Sequence, residues 1–205
     1  MDNSPIFAGG FELRAAGDGT RRLSGAFPYN SRAVIDAGGN GRKSRKEVFA
    51  PRAFSYAVDD PDRDIHLLVG HDYGKPIASK KAGTFLLDDT DAALKFEAVI
   101  TGEIQETSWW KDFLASFNSG LVGGISPGFC VAPPEAVKNA EYVTEEDPAE
   151  GKALIRTITA AVLFELSLVT RPAYPGTGLN LRQWETHQDR QPYRRPSYAL
   201  NRWRA

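Results

Sequence analysis

Gly124-Ile125-Ser126-Pro127-Gly128 sets a serine between two glycines in the spacing G-x-S-x-G. A serine hydroxyl attacks a carbonyl when a base in hydrogen-bond reach takes its proton and a further group orients that base. Three histidines, His66, His71 and His187, are available as the base. His71 is the best placed: it closes the strand-like stretch "DIHLLVGHD", whose Ile65, Leu67, Val69 and His71 would share one face while His66 points the other way. The same parity separates His66 from His71 as metal ligands, and on a helix their offset of five would part them by about 140°. Neither a metal nor another cofactor is expected. Cys130 sits in the apolar run "FCVA", where a small thiol packs and stays inert.

G-x-S-x-G is also the spacing of the nucleophile elbow, a strand-to-helix turn that exposes a serine. That reading fails on chain order, because the elbow's histidine follows its serine and only His187, in a poorly patterned stretch, does so here. It fails again on the absence of alternating strand and helix segments. Pro127 is a third objection, since it removes an N–H that the elbow uses to bind the oxyanion. What remains is the order His71, Ser126 and then an acid, on a mostly β scaffold.

The elements that must position these groups can be read from pattern. The chain has 205 residues, 41% of them apolar and 25% charged, with a net charge of -1, as in an ordinary soluble globular protein. Near-neutrality argues against nucleic acid as a partner. One cysteine excludes an internal disulfide framework and suits a reducing cytoplasm. Neither a secretory signal nor an apolar run long enough to span a bilayer is evident, so a soluble intracellular protein with no membrane partner is expected.

"FELRAA" and "RRLSGAFPYN", divided by "GDGT", predict a hairpin, and "KAGTFLLDDTDAALKFEAVI" predicts a second with "DDTD" as its turn. "AGGNGRKSRKE", with its basic block Arg42 to Lys46, reads as a mobile solvated loop. "EVFAPRAFSYAV" reads as a strand and then a short helix with Pro51 in its first turn. In "QETSWWKDFLASFNSG", Trp109, Phe113 and Phe117 recur every four residues and Gly120 stands where a C-cap would, which predicts a helix. "GGISPGFCVA" returns to strand, and the polar, acidic stretch from Pro133 to Gly151 reads as a surface insertion. "LIRTITAAVLFELSLV" is β-rich, with a break or bulge near Ala160 to Leu163. After Leu181 the pattern stops, so residues 1–181 are expected to form one domain and 182–205 an arginine-rich, loosely attached tail.

Four segments, in order, resemble those of the prohead (capsid maturation) proteases of HK97-like tailed phages: "EVFAPRAF", "GHD", the serine of "GISPGF", and "LFELSLVTRPAYPGT". The family counterparts are E-V-x-x-P-x-A-F, N-H-D, G-x-S-x-G-F and L-x-E-V-S-x-V-x-x-P-A-Y. The resemblance runs from about Phe11 to Arg182. It implies an α+β, mostly β fold, a closed β-barrel flanked by helices and similar to the herpesvirus assembly proteases. It implies Ser126 as nucleophile, His71 as base and Glu165 as the third member. It further implies a serine endopeptidase that cleaves the scaffolding portion of the major capsid protein, and itself, inside the immature capsid in the host cytoplasm. A homo-oligomer is compatible with that role. Gly70 replaces the usual Asn, Arg171 stands where a hydrophobic residue is frequent, and the acidic insertion is long, but no proposed catalytic group is lost.

From the residues themselves the third member stays open among Glu165, Asp72 and His187, in that order. A buried Glu165 needs a partner, which an imidazole N–H or a salt bridge to an arginine such as Arg156 would supply. Asp72, next to His71, is better suited to cap the turn at Gly74. His187 would require an ordered tail. Backbone N–H groups near Ser126 and Gly128 are the only oxyanion donors that the sequence offers. Two other functions compete with the endopeptidase: a non-catalytic, protease-like internal scaffold of the capsid, and a small serine esterase.

Overall fold

The computed structural model describes residues 11–170. The expected tail, with His187 and the boundary at residue 181, lies outside the described residues.

The first hairpin forms as the turn residues dictate, from β1 (Phe11–Ala15) and β2 (Arg21–Pro28). β3 (Ala33–Asp36) and β4 (Arg45–Phe49) follow, then a single-turn helix α1 (Ser55–Val58). β5 (His66–Val69) and β6 (Asp72–Ser79) lead to the second hairpin, β7 (Phe85–Asp89) and β8 (Ala93–Ile100). Two helices, α2 (Gly102–Glu106) and α3 (Ser108–Asn118), precede β9 (Gly124–Val131), β10 (Glu141–Glu145), β11 (Leu154–Ile158) and β12 (Ala161–Val169).

These strands make three four-stranded sheets, in the orders β1-β2-β8-β7, β10-β11-β4-β3 and β6-β5-β12-β9. The mostly β content agrees with the sequence reading, but the closed barrel does not: among the described residues none of the three sheets closes on itself. One reason lies at the break between β11 and β12. The N–H groups of Thr159 and Ala160 both turn to the Ala140 carbonyl, at 2.9 and 3.2 Å, and the two strands enter different sheets. A closed barrel needs one continuous ladder, and this chain divides its ladder there.

The core between the layers is aromatic. Phe27, Phe49 and Phe54 are fully buried, and the Phe49 ring lies 4.8 Å from both Phe54 and Phe129. Helix α3 adds Trp110, Phe113 and Phe117. The sequence pattern expected Trp109 instead of Trp110. With the Thr107 side chain capping the helix, Trp109 falls in its first turn at the rim, half-buried, and its indole N–H donates to the Pro76 carbonyl at 3.2 Å. Gly120 follows the C-cap with φ of 69°, the left-handed geometry that its position predicted.

Several local expectations need correction. Pro51 lies in a turn ahead of α1, not within it. The basic block is not a free loop: Arg45 and Lys46 begin β4, Arg42 pairs with Asp36, Lys43 with Glu145 and Lys46 with Glu146. The acidic stretch does more than decorate the surface, since β10 extends a sheet and Glu146, from the same stretch, is buried.

Candidate active site

The sheet β6-β5-β12-β9 carries every described candidate residue on its strands or on the turn after β5. Cross-strand register fixes which side chains share a face. Ser126 stands opposite Ser167 and Gly128 opposite Glu165, while Glu165 is also level with His66 on β5. Those five therefore lie on one face. The alternate residues Ile125, Leu67, Leu166 and Leu168 face the hydrophobic core. Burial of one face by leucine and isoleucine thus orients the polar groups on the other.

His71 reaches this face by a route that alternation does not predict. Leu67 and Leu68 are both fully buried, so β5 is covered on two sides, and the strand ends at Val69. Gly70 and His71 then take φ of 65° and 61°, two successive left-handed residues. The Gly70 N–H donates to the Leu168 carbonyl at 3.0 Å, which ties this turn back to β12. His71 consequently owes its direction to a turn and not to strand parity. A left-handed non-glycine residue is uncommon and is kept only where its surroundings hold it.

The His71 ring sits 2.7 Å, Nδ1 to Oε1, from the Glu165 carboxylate. The imidazole is 44% exposed and the carboxylate side chain only 4%. An ionised carboxylate can only accept, so Nδ1 carries the hydrogen of this bond, which in the neutral ring leaves the lone pair on Nε2. Glu165 Oε2 accepts from the Ser167 hydroxyl at 2.7 Å. On its other side, a Cβ built on Gly128 would stand 2.0 Å from Oε1, so the carboxylate occupies the room that this glycine leaves. Ser126 is 4% exposed, in an edge strand that tolerates Pro127.

The bulge in β12 falls between Leu163 and Glu165, slightly later than the sequence placed it, with Phe164 as the extra and exposed residue. Were Phe164 a regular member of the ladder, Glu165 would share the face of Leu163 and meet the core.

Arg156 is not the partner of Glu165. Its guanidinium donates to Glu141 at 2.7 Å and to Glu47 at 3.2 Å, in the sheet β10-β11-β4-β3. Asp72 Oδ1 accepts the Gly74 N–H at 2.8 Å and Oδ2 pairs with Lys75 at 3.2 Å; the Gly74 bond first, then Lys75, hold its carboxyl below the usual range. His66 pairs with Asp64 at 3.4 Å and packs edge-on against Tyr73, ring centres 5.9 Å apart. Burial, and then the charge of Glu165, push the Tyr73 hydroxyl up. Cys130 lies on the same face of β9 as Ser126, half-buried and not packed away as expected; four strand residues put it roughly 13 Å further along.

Sequence reasoning missed Ser167 and the role of Gly128. The signal for Ser167 was present, since a residue two positions from Glu165 in "FELSLV" must share its face. Gly128 gave none, because its clearance is for a side chain from another strand.

A hydroxyl, a half-exposed imidazole and a buried carboxylate gathered on one sheet face are the parts of a serine hydrolase. A family model described as caudovirus prohead serine protease matches residues 33–190, most of the chain, and the chain belongs to that family of serine peptidases. No curated protein and no solved structure matches it. No helix among the described residues is long and apolar enough to cross a membrane.

Proposed function

We propose that the protein is a serine endopeptidase that cleaves the scaffolding portion of a phage capsid protein, and its own chain, inside the immature capsid in the host cell. Ser126 Oγ attacks the scissile carbonyl carbon while His71 Nε2 takes its proton. The C–N bond then breaks, the proton passes to the leaving amine, and water hydrolyses the acyl-enzyme by the same relay. Glu165 holds the ring in the tautomer that this requires and offsets the charge of the imidazolium. The observation that carries the reading is the 2.7 Å hydrogen bond from His71 Nδ1 to Glu165, on the face that Ser126 shares.

The test is co-expression with the capsid protein. Ser126→Ala is expected to fold, to associate with capsid protein and to leave it uncut, where the native chain trims it. Intact mass during storage reads self-cleavage, expected between Arg182 and Arg204 in the native chain only, because a tethered segment is present at roughly millimolar effective concentration. Near-native cleavage by the variant would overturn the assignment. Association without cleavage by the native chain would favour a non-catalytic scaffold, and turnover of short acyl esters alone would favour an esterase.

A further inference from the structure

We propose that Ser167 is a positioning residue for the reaction, the clamp that fixes both His71 and Glu165; the proposal rests on the catalytic reading above. Ser167 is fully buried and its hydroxyl has two uses. It donates to Glu165 Oε2 at 2.7 Å and accepts the backbone N–H of His71 at 2.9 Å. A serine hydroxyl has one hydrogen and two lone pairs, so both bonds form at once.

Each bond restrains a motion that would spoil the relay. Glu165 offers Oε1 to the imidazole and Oε2 to Ser167, so the plane of the carboxylate cannot turn without losing one of them. Gly128 allows the carboxylate to lie against β9 but leaves no slack there. His71 lies two residues past the end of β5 in a left-handed conformation, with its ring 44% exposed. Its backbone is held to β12 by Ser167, and its ring by Glu165, two residues away on the same strand. Ser167 is also the residue opposite Ser126 on β9. One hydroxyl therefore sets the base and its orienting acid relative to each other, beside the strand that bears the nucleophile. A serine with a merely structural role would leave these two groups indifferent to its loss.

The experiment measures kcat and KM for capsid-protein cleavage by Ser167→Ala and Ser167→Thr, each alone and combined with Glu165→Gln. Low-field proton NMR of the His71 Nδ1–H is followed in the same proteins. Ser167→Ala is expected to lower kcat about 10- to 100-fold with KM within about 2-fold, as misplacement of a catalytic group does. The His71 proton signal should weaken or shift, and Ser167→Thr, which keeps the hydroxyl, should recover most of both. In the Glu165→Gln background the Ala change should cost less than about 3-fold, because the two residues act as one unit. Ser167→Cys, which keeps the volume but bonds weakly, replaces either variant that does not fold, and a fall between native and Ala values is expected. Native kcat and an unchanged His71 signal in Ser167→Ala would overturn the proposal, as would the same fractional loss in both backgrounds. Should Glu165→Gln itself cleave at the native rate, the catalytic reading fails instead, and the two failures are distinct.

Discussion

Two sheets each bury carboxylates, and they treat the charge in opposite ways. In the sheet β10-β11-β4-β3, Arg156 lies between Glu47 and Glu141, all three side chains at most 8% exposed. A guanidinium does not release its proton, so this group is a fixed charge cluster that can only hold strands together. In the sheet β6-β5-β12-β9, Glu165 is equally buried, yet its partner is an imidazole that is 44% exposed and whose second ring nitrogen can take a proton from one group and pass it to another. The same residue type serves stability in one place and chemistry in the other. The partner and its access to solvent decide which.

That contrast yields a crossed pair of predictions. Glu165→Gln keeps the shape and one hydrogen bond but removes the charge; loss of an orienting acid from a comparable triad costs about 10⁴ in turnover, so a fall of at least about 10²-fold is expected, with little change in melting temperature. Arg156→Leu should do the reverse. Stripping the guanidinium from Glu47 and Glu141 should destabilise the fold by about 3–5 kcal/mol in denaturant titration, while the protein that remains folded keeps native turnover. If Arg156→Leu abolishes turnover without unfolding the chain, or Glu165→Gln is merely less stable, the contrast is wrong.

A smaller effect sharpens the same comparison from the neighbouring strand. Gly128→Ala brings a methyl group to where Glu165 Oε1 now lies, and the carboxylate must swing away from His71. Turnover should fall by about 10-fold or more and stability should fall with it, by about 1–3 kcal/mol, since the methyl also meets Glu165 Cδ at 2.7 Å and Cγ at 2.9 Å and this side chain is buried. A Gly128→Ala enzyme with native turnover would mean that the carboxylate position is not critical.

The sequence made legible what short periods and turn chemistry encode. Both hairpins, helix α3 with Gly120 just past its C-cap, and the strand around Ser126 follow from patterns within a dozen residues. β3, β6 and β10 escaped, because β6 contains Gly74 and Pro76 and β10 is a largely exposed edge strand that shows no apolar alternation. The candidate residues were named from spacing and resemblance, but their partnerships were not. Whether Glu165 met His71 or Arg156 depended on a contact across 94 positions, which no local pattern holds. Strand parity puts His71 on a face of β5, whereas two left-handed residues place it. The closed barrel came from the resemblance alone, and the division of the ladder at Thr159 and Ala160 overturns it.

The central claim is that Ser126 is a nucleophile made reactive by His71. It is tested most directly by incubating the native protein with a small fluorophosphonate and mapping the adduct by mass spectrometry. One phosphonyl group per chain is expected, on the peptide containing Ser126, and none on a folded His71→Ala variant. Native protein that cuts capsid protein yet carries its label on another residue, or whose Ser126 reacts equally well without His71, would contradict the account.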